Sequence, residues 1–215
     1  MSYTLIIGTR NWSSWSLRAW LALKSTGISF EEVLVRLRQP DSASQIRKLS
    51  PSARVPLLLI SDGDKESKVF DSLAICETIA ERHPEAGLWP DDAEARGLAR
   101  SYSAEMHAGF LALREALPMD FARILPQPDM DDTVLEQIER IQSAWEVARS
   151  KYKSQGDFLF GRFSIADCMY APVVSRFLTY EIPLSDEVQQ YATRIMALPA
   201  IQEWFQESKK EIDAG

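Results

Sequence analysis

Asn11-Trp12-Ser13-Ser14-Trp15-Ser16-Leu17-Arg18-Ala19-Trp20 places three serines and three tryptophans between positions 12 and 20. The apolar run Tyr3–Gly8 precedes it and reads as a buried strand. A helix follows over residues 14–26, with Leu17, Trp20 and Leu21 on one stripe and Gly27 at its end. A strand that runs through serines into a helix has two readings. One serine is a plain N-cap, its oxygen accepting a first-turn N–H. Alternatively, a hydroxyl there serves chemistry, because a helix N-terminus favours an anion.

The pattern continues outward. Residues 29–37 are β-branched enough for a second strand, and Val55–Ile60 is an apolar third strand that begins at a proline. Residues 61–64 are a turn, residues 67–70 a short fourth strand, and residues 71–83 a helix opened by Asp71 or Ser72 and closed before Pro84. This gives β-α-β-α-β-β-α over residues 1–85, then a linker over 86–92. From residue 93 to 215 only helical patterns recur. One is expected over 92–117 and one over 132–153, each with a core stripe rather than a cofactor box. A third follows Ser164-Ile165-Ala166-Asp167, a capping box, and a last one starts at Pro199 and buries Ile201, Trp204 and Phe205. The fold class is α+β.

Composition bounds the function. The chain has 215 residues, 46% of them hydrophobic, enough for a sizeable core. Its net charge of −7 argues against nucleic acid as a partner. Residues 1–85 carry 11 Lys/Arg and 10 Asp/Glu, whereas residues 86–215 carry 13 and 21, so an anionic ligand is more welcome in the first part. No apolar run approaches the roughly 18 residues of a membrane helix, and the start lacks the basic and apolar regions of a signal peptide. A cytoplasmic location is the expectation. Two distant cysteines, Cys76 and Cys168, suit a reducing compartment and read as inert core thiols. With only His83 and His107 as imidazoles, no metal site is expected.

Four segments together resemble the cytosolic glutathione transferases, and a bacterial branch of them in particular. Residues 13–28 resemble the zeta-class run Ser-Ser-Cys-Ser at the first helix, and theta- and delta-type enzymes in having Ser14 four residues before Arg18. Ser52–Leu59 resembles the segment whose Val-Pro bond is cis in that family. Phe70–Glu81 resembles the acidic-Ser pair that opens the third helix, and Phe163–Val173 the helical-domain capping box. The resemblance implies a thioredoxin-like domain, an all-helical domain, glutathione as co-substrate, a small electrophile as second substrate, and a homodimer.

A thiol has a pKa near ~8.5, and each tenfold gain in thiolate needs about 1.4 kcal/mol. A serine hydroxyl donating to the sulfur at a helix N-terminus supplies that without losing its own proton. The spacing to Arg18 favours Ser14, and the zeta-like alignment leaves Ser13 open. A Ser hydrolase is disfavoured, since no G-x-S-x-G occurs. By resemblance, the Val55 backbone beside Pro56 holds the peptide, Ser72 receives the γ-glutamyl carboxylate and Asp71 the ammonium. Gln39 and Arg38, with Arg10 and Arg54, are candidates for the glycyl carboxylate. Trp12, Trp15, Glu105, Met106, His107 and Phe110 are candidates for the electrophile pocket; hydrophobic packing competes for the tryptophans and a helix-edge role for His107. Trp15 stands where the zeta class has cysteine, which counts against the cis–trans isomerase chemistry of that class. A non-catalytic glutathione-binding or scaffold protein is the remaining alternative.

Overall fold

A computed structural model describes residues 1–213. Its sheet has strands β1 (Ser2–Gly8), β2 (Glu31–Val35), β3 (Leu57–Asp62) and β4 (Lys65–Val69) in the order β2-β1-β3-β4. β1 runs parallel to β2 and antiparallel to β3, and β3 antiparallel to β4. Leu5 of β1 stands between Glu32 and Leu58. The inner stretches of the two central strands, Leu5 to Ile7 and Leu57 to Ile60, are apolar because both faces are covered. Leu5, Ile7, Leu58 and Ile60 face the main core, and Ile6, Val35 and Leu57 meet Ile46 on the other side. The edges are charged and exposed, Glu31 and Glu32 on β2 and Lys65 to Lys68 on β4, which discourages further strand pairing.

Helix α1 (Ser14–Thr26) lies between the sheet and the helical part of the chain, so it is buried almost all round rather than along one stripe. Ser13 caps it, and Gly27, at φ 72°, closes it with an N–H to Lys24 O. Helix α2 (Ser42–Leu49) covers the outer sheet face through Ile46. Helix α3 (Ser72–Arg82) is capped by Asp71 and stops at His83, just before Pro84. The Val55–Pro56 peptide is cis, as the resemblance implies, and Phe70–Asp71 is also cis.

A 3-10 turn at Pro84–Ala86 leads to α4 (Ala93–Ala108), α5 (Leu111–Ala116), α6 (Asp132–Tyr152), α7 (Ile165–Thr179), α8 (Asp186–Met196) and α9 (Pro199–Asp213). The single helix expected over 92–117 is two. Gly109 takes an extended conformation and Phe110 a left-handed one, φ 61°. The Arg114 guanidinium turns back onto the exposed end of α4, donating to the carbonyls of Met106 and His107. Helix α8, whose N-cap Ser185 makes no capping hydrogen bond, is an element beyond those expected. Of the residues assigned to the last core stripe, Ile201 and Trp204 are buried but Phe205 only in part.

Helix α7 is the helical core. Trp145 of α6 stacks against Tyr170, Phe177 and Tyr191 with ring centroids 5.0–5.6 Å apart. The capping box is present, and Asp167 does more than cap. Its carboxylate accepts from Ser164 N at 2.8 Å, Ser164 Oγ at 3.0 Å, Leu159 N at 3.1 Å and Tyr191 Oη at 3.1 Å. The two parts of the chain are tied by the opening stretch. Buried Asn11 donates to Asp120 Oδ1 and accepts from Ala122 N, both at 2.9 Å.

Candidate functional site

A cleft of about 530 Å³ opens where the start of α1, the 52–56 loop, the start of α3 and the α4–α5 corner meet. The sequence candidates that line it are Trp15, Arg54, Val55, Pro56, Asp71, Ser72 and His107. Ser52, Phe70 and Arg114 line it too and were not singled out. Ser52 and Phe70 are chain neighbours of residues that were. Arg114 carried no signal, because it reaches the cleft only through the break at Gly109–Phe110.

Asp71 and Ser72 divide their work as their types dictate. Asp71 Oδ1 accepts from Leu73 N at 3.0 Å and Ala74 N at 3.1 Å, consuming two of the orphan donors of α3. Its Oδ2 lies 2.8 Å from His107 Nε2, bridging the two parts of the chain. Ser72 is fully buried, and its Oγ has no hydrogen-bond partner. A buried hydroxyl without a partner costs free energy unless a ligand completes it. Beside a helix N-terminus, the ligand that completes it best is an anion.

The two serines at α1 differ. Ser13 Oγ accepts from Ser16 N at 3.4 Å and donates to Ser16 Oγ at 2.7 Å, so its proton is engaged in the cap. Ser14 Oγ accepts from Arg176 Nη2 at 3.4 Å and has no acceptor for its own proton among the described residues. Both are largely buried and neither lines the cleft itself. Trp15 does, held by the Arg18 guanidinium 4.3 Å and that of Arg114 4.6 Å from its ring centroid.

Seven candidates lie elsewhere. Met106 and Phe110 are core residues. Trp12 stacks under Arg38 at 4.2 Å and, with Gln39, borders a separate small hollow. Arg10 is engaged by Glu32 and Glu211 rather than free for a ligand. Glu105 pairs with Arg140 at 2.8 Å on the surface. The thiols take no part: burial pushes Cys76 up to about 12 and raises Cys168 as well. Among the described residues no cluster of three His, Cys, Asp or Glu side chains is suited to a metal, and no helix is long and apolar enough to cross a membrane.

Comparison with known proteins decides the family. Residues 12–82 match the glutathione S-transferase N-terminal domain and residues 103–207 the C-terminal domain. The chain belongs to the cytosolic glutathione transferase family. Its first part is thus the family's thioredoxin-like domain and its second the helical one. A glutathione transferase homologue from Burkholderia, crystallised with bound glutathione, is 27% identical, and the two chains cover each other completely (100%) with a TM-score of 0.71. A probable maleylacetoacetate isomerase from Caenorhabditis elegans is 34% identical over 104 residues, 48% of this transferase-family chain. The chain spans 46% of that relative's length. The rat maleylacetoacetate isomerase is 28% identical over 200 residues, 90% of this chain and 87% of that one.

Proposed function

We propose that this protein conjugates the glutathione thiolate to small electrophiles. The observation that carries the reading is the buried, unpartnered Ser72 hydroxyl at the start of α3, inside a cleft of the right chemistry. In it the γ-glutamyl carboxylate takes the Ser72 Oγ–H and the α3 N-terminus, and Asp71 takes the ammonium. The Val55 backbone pairs with the extended peptide as an added strand would. Arg54, exposed at the rim, faces the glycyl carboxylate. Ser14 is the donor to the sulfur. Its hydroxyl already accepts from a guanidinium, which polarises the O–H, and its proton is free where that of Ser13 is not. The thiolate then forms a C–S bond, the leaving group departs with its electron pair, and the thiol proton passes to solvent.

A second reading, reversible thiolate addition that isomerises a double bond, is favoured by the names of the worm and rat relatives. It uses the same peptide site. We further place the functional division at residues 1–85 and 93–215, the linker at 86–92, the protein in the cytoplasm, and its assembly as a homodimer.

Turnover of glutathione with 1-chloro-2,4-dinitrobenzene tests the conjugation reading. Ser14→Ala is expected to lower kcat roughly tenfold, the loss of one hydrogen bond to a charged atom. Ser13→Ala is expected to lower stability by about 1 kcal/mol through the cap, with kcat little changed. No turnover by the wild type would sink the conjugation reading, and a kcat loss confined to Ser13→Ala would reverse the choice of serine.

A further inference from the structure

Three arginines from three helices converge behind the cleft. Arg18 and Arg176 are 1% and 4% exposed, and Arg114 is half-buried at the cleft wall. Arg18 Nε donates to Met169 O at 3.0 Å, and Arg176 Nε to Leu117 O at 2.8 Å. Arg114 holds the end of α4. Every protein acceptor here is a carbonyl or a hydroxyl. Among the described residues no carboxylate pairs with any of the three. Arg18 Nη1 and Arg114 Nε are buried with no hydrogen-bond partner. Burial, then the charges of Arg114 and Arg176, hold Arg18 well below its usual range, and burial pushes Arg176 down to about 10. Like charges gathered out of water without a counter-ion are unfavourable, and an anion relieves them. The one carboxylate on the cleft wall, Asp71, faces His107 and the α3 N–H groups and pairs with none of the three arginines.

We propose that the helical side of the cleft is an anion seat, in which Arg114, backed by Arg18 and Arg176, receives a carboxylate carried by the electrophilic substrate. The inference rests on the conjugation reading and names its substrate class. Position separates this seat from the peptide subsite. Ser72, Val55 and Arg54 belong to the thioredoxin-like part, whereas Arg114 belongs to the helical part and is fixed to the end of α4. The Arg114 guanidinium lies 4.6 Å from the Trp15 ring centroid, with Nη2 held by the Met106 and His107 carbonyls and Nε without a hydrogen-bond partner. A planar fork of donors matches a carboxylate better than a thiolate. Trp15, in the place where a zeta-like enzyme has cysteine, acts as the platform that orients this fork.

The test uses two nearly isosteric aryl chlorides, 4-chloro-3-nitrobenzoate and 4-chloro-3-nitrobenzamide, with the wild type, Arg114→Gln and Arg114→Lys. In the wild type, calorimetry is expected to show the benzoate binding at least tenfold more tightly than the amide, with or without glutathione. The benzoate-over-amide ratio of kcat/KM is expected to follow. Arg114→Gln is expected to lower both ratios at least tenfold, and Arg114→Lys to restore part of the loss. Equal binding of benzoate and amide by the wild type would overturn the proposal. So would a thiol pKa of bound glutathione, followed by thiolate absorbance, that rises in Arg114→Gln while the ratios stay fixed, since the anion seated there would then be the sulfur. Because benzoate binding is read without turnover, a failure of glutathione to bind would overturn the conjugation reading and leave this one standing or falling on its own data.

Discussion

Asp71→Ala is expected to weaken glutathione binding roughly a hundredfold, measured by calorimetry at neutral pH. Two losses add. A hydrogen bond to the peptide's ammonium contributes about 1.5–3 kcal/mol, and loss of the cap that orients the α3 N-terminus adds about 1 kcal/mol. Asp71→Asn separates them. Its amide oxygen still accepts from Leu73 N and Ala74 N, so the cap survives while the charge is gone. The expected weakening is then roughly tenfold. Both variants also lose the charged partner of His107, which lies 2.8 Å from Asp71 Oδ2. If Asp71→Asn binds like the wild type, the ammonium is held elsewhere.

Asp167→Ala is expected to lower unfolding stability by about 3–5 kcal/mol in a urea titration. It leaves the Leu159 and Ser164 N–H groups and the Ser164 and Tyr191 hydroxyls without their buried acceptor, each worth about 1–3 kcal/mol before relaxation. The same residue sets a pH dependence. Burial pushes Asp167 up to about 6 from an ordinary 3.8, the hydrogen bonds offsetting only part of the penalty. The folded state therefore holds this proton more tightly than the unfolded chain. Stability from this group is full below about pH 4 and is lost as pH rises toward 6, by roughly 3 kcal/mol. Relative to Asp167→Asn, the wild type is expected to gain stability on acidification from pH 6 to 4. An unchanged difference across that window would contradict the buried, raised carboxyl.

Features set by local rules were legible in the sequence. Gly27 ends α1, Asp71 opens α3, Ser164 and Asp167 close a box, and Val55-Pro56 leads into β3, because caps and turns are chosen by residues a few positions apart. Both walls of the peptide site follow from those positions. Features set by tertiary burial were not legible. Arg18 and Arg176 look like solvent-facing helix residues until α1 and α7 pack together over them. Met106 and Phe110 share with His107 the helix expected to face the first part, but both are packed in the core, and the break at Gly109 brings Arg114 to the cleft instead. Which of two adjacent serines spends its proton on the cap depends on Ser16, whose Oγ also accepts from Gly8 N at 3.1 Å. Neighbour identity alone does not distinguish Ser13 from Ser14 there.

The central claim is that the cleft beside Ser72 binds glutathione. Calorimetric titration of the wild type and Ser72→Ala with glutathione tests it most directly. One site per chain is expected in the wild type, and binding roughly tenfold weaker in Ser72→Ala, since the α3 N-terminus remains when the hydroxyl is lost. No heat of binding in the wild type, or equal affinity in Ser72→Ala, would contradict it.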